Sequence, residues 1–236
     1  MPGPLASVPG RERSLARGVR HRRSARGILA LLLLLTLAAP RFAQGEVPAS
    51  FDYYVLSLSW SPQYCASARD RPEDRVQCQH RRFGFVVHGL WPQDRAGSPS
   101  YCRSREPRTV ADEILRETIS IMPSERLIKH QWNKHGTCSG LDQHRYFAAT
   151  RQAFESLQIP EAVLQGRLTY TTRRNLLAAI RESNPSVPET ALVLRCDSAD
   201  LSELRVCLSR NLEPRPCGRQ IRGNCPATGI RIRPLR

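Results

Sequence analysis

The chain has 236 residues and a formal net charge of +15, enough length for one sizeable core but too little for two full domains. Beyond the first 45 residues it shows no internal repeat, heptad run or low-complexity tract, which excludes repeat arrays and coiled coils. Its basic side chains are 34 Arg and 2 Lys, a bias associated with GC-rich genomes such as those of some Gram-negative bacteria.

An arginine-rich start leads into an apolar run from Ile28 to Ala39, unbroken between Leu31 and Leu35. About a dozen residues falls short of the roughly 20 that span a bilayer. Basic, apolar and small residues in that order describe a secretory signal peptide. Ala43 and Gly45 fit the two key positions before a cut, so residues 1–45 are expected to be removed and residues 46–236 to form a single domain. A membrane anchor is the competing reading of the run. Cleavage removes eight Arg and one Glu, leaving a charge of about +8. A basic surface captures polyanions in a salt-dependent way. Charge by itself fits nucleic acid and an anionic cell surface equally.

Phe51 to Trp60 (FDYYVLSLSW) alternates partly and is rich in aromatic residues, so it reads as a strand. Phe83 to Leu90 (FGFVVHGL) is a second, strongly apolar strand with His88 near its end; Pro92 then breaks the pattern, and residues 95–108 read as a loop. Ser124 is a good N-cap for a helix running to His135, with Gly136 as its stop. At about 100° per residue Ile128 and Trp132 share a core-facing stripe, and His130, Gln131, Lys134 and His135 gather on the neighbouring face. Asp142 to Leu157 and Thr172 to Ser183 form two more helices, and Thr190 to Cys196 and Leu201 to Leu208 two late strands before a Pro- and Cys-rich tail. Strands at both ends with helices between them imply an α+β domain built on a mainly antiparallel central sheet flanked by helices.

All eight cysteines, Cys65, Cys78, Cys102, Cys138, Cys196, Cys207, Cys217 and Cys225, follow the expected cut. An even set confined there reads as a disulfide framework formed in an oxidising compartment, periplasmic or extracellular. No CxxC pair supports zinc, and 105 pairings are open from the count alone. The chemistry-bearing candidates are therefore histidines. His88 is followed by Gly89, which allows close backbone approach, and by Trp91, a flat surface on which a base could stack. His135 follows the cation Lys134. A zincin helix needs His at i and i+4 with Glu between, whereas His130 and His135 are five apart and Gln131 occupies the Glu position. No metal or other cofactor is expected. No GxSxG elbow is present for serine-hydrolase chemistry.

FVVHGLWPQ (Phe85 to Gln93) resembles the first active-site signature of the ribonuclease T2 family, and HQWNKHGTC (His130 to Cys138) resembles the second, in the family's order. Supporting likeness runs from WSPQYC (Trp60 to Cys65) to the C-terminal cysteines. The resemblance implies a metal-independent endoribonuclease that cleaves single-stranded RNA through a 2′,3′-cyclic phosphate to 3′-phosphate ends, with little base specificity. RNA supplies the 2′-hydroxyl nucleophile, so two histidines near neutrality serve as base and acid. DNA lacks that hydroxyl and is not expected to be cut. By resemblance His135 is the general base, His88 the general acid, Lys134 an electrostatic stabiliser and His130 a substrate-binding residue, and Trp91 is counted as a second substrate-binding residue for its stacking surface. Many family members carry Glu where this chain has Gln131, which keeps hydrogen-bonding reach but not charge; Gln131 is taken as a supporting residue of the catalytic set. The resemblance also implies the pairs Cys102–Cys138, Cys196–Cys225, Cys207–Cys217 and Cys65–Cys78. The chain is expected to act as a monomer. The alternative is a weakly catalytic family member that binds RNA or another polyanion.

Overall fold

The computed structural model describes residues 50–68, 72–80, 83–95 and 97–235; the expected signal segment lies outside them. The first strand, β1 (Tyr53–Trp60), runs antiparallel to β2 (Phe85–Gln93) on one side and to β5 (Asp200–Leu208) on the other. The next strand outward from β5 is β4 (Leu192–Asp197), also antiparallel. A two-residue ribbon, β3 (Tyr170–Thr171) with β6 (Ile230–Arg231), joins the start of β5 through a parallel pairing of Asp200 and Arg231. The sheet is thus antiparallel apart from that one contact, and the α+β class holds.

The main apolar core lies on one face of the sheet. Tyr54, Leu56, Leu58 and Trp60 of β1 alternate into a core shared with Ile128, Trp132, Tyr146 and Leu176. These last four belong to α3 (Glu125–Lys134), α4 (Gln143–Glu155) and α6 (Arg173–Ser183), which follow α1 (Ser61–Ser67), α2 (Asp112–Thr118) and, between α4 and α6, the single-turn α5 (Glu161–Leu164). Each long helix starts on a side-chain cap: Ser124 accepts from Leu127 N–H, Asp142 from Arg145 N–H and Thr172 from Asn175 N–H. The three helices match the sequence expectation to within two residues at their ends. Helices α1, α2 and the single-turn α5 are additions: all are short and without side-chain caps, and their only start signals are the proline early in α1 and the acidic first turns of α2 and α5. Among the described residues no helix is long and apolar enough to cross a membrane.

Strand β2 departs from expectation in an informative way. It continues through Pro92, which sits opposite Tyr54. Strand β2 is the edge of the sheet, so the N–H that Pro92 lacks has no neighbour to bond. The ladder also slips: Ser57 pairs with Gly89 but Leu58 with Val87, which leaves His88 as the extra residue of a β-bulge. Val87 and Leu90 are both fully buried although three positions apart. The bulge absorbs the odd residue and turns His88 out of the core.

Four disulfides, Cys65–Cys78, Cys102–Cys138, Cys196–Cys225 and Cys207–Cys217, close the domain. These are the pairs that the family resemblance implies. Cys102–Cys138 pins the loop after β2 to the end of α3, helped by Tyr101 N–H donating to Lys134 C=O at 2.8 Å.

Candidate active site

The sheet face opposite the main apolar core carries the site, with α1 and the start of α3 at its rim. Pairing sets out its rows: Trp91, Val55 and Cys207 lie side by side, then Gly89, Ser57 and Arg205, then Val86, Ser59 and Glu203. The middle strand contributes small serines, so long side chains on β2 and β5 can meet above it. His88 reaches across in this way, its Nδ1 lying 2.8 Å from Glu203 Oε1. The Glu203 side chain is 15 % exposed. Burial raises its carboxyl pKa, but the His88 bond and the His88 and Arg205 charges outweigh burial and hold it at about 2. The oxygen is therefore ionised, and Nδ1–H of His88 is the donor.

Helix α3 runs beside the edge strand and delivers the second histidine. His135 is its C-cap, with backbone N–H bonded to Gln131 C=O at 2.9 Å. Gly136 follows because a Cβ there would lie 2.3 Å from the Trp132 ring. The His135 side chain is buried, and its Nδ1 has no hydrogen-bond partner among the described residues. Burial first, then the positive charges of Lys134, His130 and His88, push its pKa down to about 3. This ring is neutral at physiological pH. It can accept a proton. His88 faces a carboxylate and His135 faces cations in a dry site, so the two rings occupy opposite electrostatic surroundings.

Trp91 packs against both rings. Its ring centroid is 5.1 Å from that of His88, edge-on, and 5.5 Å from that of His135. Its Nε1–H donates to Gln131 Oε1 at 2.8 Å, and the Arg205 guanidinium lies 5.2 Å from its ring centroid. Gln131 is 2 % exposed, and Gly89 makes room for this bond: a Cβ at 89 would sit 2.2 Å from Gln131 Oε1 and 2.3 Å from Trp91 Nε1. Thus Gln131 performs the accepting role open to a glutamate oxygen, but without charge.

The polar face of α3 is divided rather than continuous. Gln131 and His135 are buried against Trp91, while His130 is exposed and Lys134 half-buried. The pKa of His130 is lowered by partial burial and by Lys134, His88 and Arg126, and its ring meets the exposed Tyr101 edge-on at 6.5 Å. Beside His88 opens a cavity of about 590 Å³, lined by Ser59, Ser124, Leu127, Arg195, Glu203 and Arg205 among others. Glu203, Arg205 and Tyr101 were not among the residues singled out in the sequence. A signal for the first two exists, since Leu201–Leu208 (LSELRVCL) places opposite charges two apart on one face of an otherwise apolar strand.

Comparison with known proteins bears on this arrangement. The model of the "Ribonuclease T2 family" matches residues 51–217. The chain is 43 % identical over 148 residues to a ribonuclease of Aeromonas hydrophila, covering 61 % of this chain and 63 % of that protein. It is 33 % identical over 181 residues to a probable ribonuclease of Haemophilus influenzae, covering 72 % of this chain and 62 % of that protein. The chain therefore spans less than two thirds of the length of either relative. Among solved structures, the RNase-related protein from Calystegia sepium superposes with a TM-score of 0.63 at 24 % identity over 77 % of this chain and 97 % of the other. RNase NT in complex with 5′-AMP gives 0.63 at 22 % identity, over 77 % and 98 %. Those two likenesses speak to the fold. The family match spans both histidine blocks and the strand that carries Glu203, and on it the chain belongs to the ribonuclease T2 family.

Proposed function

We propose that this protein is an exported endoribonuclease that cleaves single-stranded RNA without a metal, by transesterification to a 2′,3′-cyclic phosphate followed by hydrolysis. The observation that carries this reading is the pair of histidines in contrasting surroundings, both packed against Trp91. His135, buried and neutral, takes the proton of the 2′-hydroxyl. The 2′-oxygen attacks phosphorus, the bond from phosphorus to the 5′-oxygen breaks, and His88 gives that oxygen its proton. In the second step His88 takes a proton from water, which opens the cyclic ester, and His135 returns its proton to the 2′-oxygen. Each proton transfer accounts for roughly 10²–10⁴-fold. Lys134 offsets charge on the phosphoryl oxygens, and His130 and Trp91 line the path of the RNA. Four disulfides support an oxidising compartment, periplasmic or extracellular.

The test is incubation of the purified protein with single-stranded RNA in EDTA, followed by identification of the product ends. Cyclic phosphates maturing to 3′-phosphates are expected, with no cleavage of DNA or of 2′-O-methyl RNA. His88→Ala and His135→Ala should each lose at least about 10²-fold. Dependence on added metal, or cleavage of the 2′-blocked strand, overturns the proposal.

A further inference from the structure

The two signature blocks contain no carboxylate, yet one reaches the reaction centre from 115 positions downstream of His88. Glu203 lies two strands away across β1. Its orientation depends on a register shift between β4 and β5: Arg195 pairs with Glu203 and Cys196 with Leu201, so Ser202 is an extra residue. Leu201 and Leu204 enter the core, and Glu203 and Arg205 turn to the opposite face. The carboxylate is divided between two partners. Oε1 receives Nδ1–H of His88 at 2.8 Å, and Oε2 receives Nε–H and Nη2–H of Arg205 at 3.0 and 2.7 Å. Arg205 in turn packs over Trp91.

The geometry points to Glu203, clamped by Arg205, as the positioning residue that holds the His88 ring with Nδ1–H on the carboxylate and Nε2 directed to the leaving 5′-oxygen. This rests on the reading of His88 as the general acid. A histidine that must give up a proton from one nitrogen needs its other nitrogen fixed as a donor, and a carboxylate enforces that. An ordinary surface ion pair does not demand this arrangement. One oxygen of Glu203 would serve Arg205 alone, and neither the buried setting nor the reach across two serines would be needed. The carboxylate that the helix lacks at position 131 is supplied by the sheet.

The clamp makes the conservative variant informative. In Glu203→Gln the two Arg205 donors hold the amide oxygen, which turns the NH₂ toward His88 Nδ1. Donor then meets donor whenever His88 is protonated. The comparison uses two substrates: RNA, whose 5′-alkoxide must be protonated as it leaves, and a ribonucleoside 3′-(4-nitrophenyl) phosphate, whose phenolate leaves unaided. Glu203→Gln is expected to lower kcat on RNA by about 10²-fold with KM within about threefold, and the loss on the phenyl ester should be at least tenfold smaller. His88→Ala should show the same split. If His88→Ala damages both substrates equally, the acid role of His88 fails, whatever Glu203 does. If His88→Ala splits them but Glu203→Gln damages both equally or neither, Glu203 is structural only and the inference is overturned. A second measurement needs no variant. The ¹⁵N shifts of His88 in the intact protein should show the neutral ring protonated on Nδ1, and a proton on Nε2 refutes the arrangement.

Discussion

Gly89→Ala probes the centre of the site with a single methyl group. The added Cβ would lie 2.2 Å from Gln131 Oε1 and 2.3 Å from Trp91 Nε1, the two atoms joined by the 2.8 Å bond that holds the indole against both histidines. Ordinary contact begins near 3.4 Å, so both atoms must retreat by roughly 1 Å. Neither has room: Gln131 is 2 % exposed, and Trp91 is flanked by His88, His135 and Arg205. Overpacking of this kind costs about 1–3 kcal/mol, and loss of the buried hydrogen bond about 1 kcal/mol more. Together these lower Tm by about 5–15 °C in a domain of this size. Displacing a positioning group by about 1 Å also costs on the order of 10²-fold in rate. Thermal melts by circular dichroism and kcat/KM on RNA measure the two effects. A Tm within about 2 °C of the parent together with kcat/KM within about threefold would refute the claim that position 89 must stay open.

Three further outcomes are expected. The His135 pKa is depressed from 6.5 to about 3, so the unfolded chain binds that proton more tightly. Its contribution to stability is complete above pH 6.5 and is lost as pH falls toward 3, by up to about 1.4 kcal/mol per pH unit. Glu203, held at about 2 against an ordinary 4.5, adds a loss only below pH 4.5. Urea melts at pH 7.5 and 5.5 should therefore differ more for the parent than for His135→Gln, and equal slopes argue against a neutral buried His135. Gln131→Glu places a carboxylate one helical turn from His135 and should raise that ring's pKa by about 1–3 units. The acid limb of the pH–rate profile would then move to higher pH, and an unmoved limb shows that the two side chains do not communicate. Removing Cys102–Cys138, which spans 36 residues, should cost about 3–4 kcal/mol. It should also lower kcat/KM more than removing Cys207–Cys217, since only the former anchors the end of α3; a larger effect from Cys207–Cys217 contradicts that.

What could be read from the chain follows the range of the interactions. His88 and His135 sit in contiguous blocks, and Ser124, Asp142 and Thr172 cap helices through bonds three residues long. Local signals of that kind survive in a linear sequence. The bond from His88 to Glu203 depends on which strands lie beside β1 and on two register shifts, and strand pairing is not local. Pro92 misled for the same reason: a proline ends a strand in the middle of a sheet but not at its edge, and edge position is a property of the assembled sheet. The helical wheel grouped His130 with His135, but only tertiary packing decided that one is exposed and the other buried.

The odd residue in β2 has a consequence for how this site tolerates change. Between Val87 and Leu90 the strand counts three where a regular pleat counts two. Deleting any one residue there would restore perfect alternation and leave a more orthodox sheet, yet it would remove His88 or shift it out of its row. The spacing acts as a ruler whose length, more than the identity of each residue along it, keeps a histidine and a tryptophan on the same side. Substitutions in this stretch can be compensated by repacking. A one-residue deletion cannot, so length variation should be confined to the loops beyond Gln93.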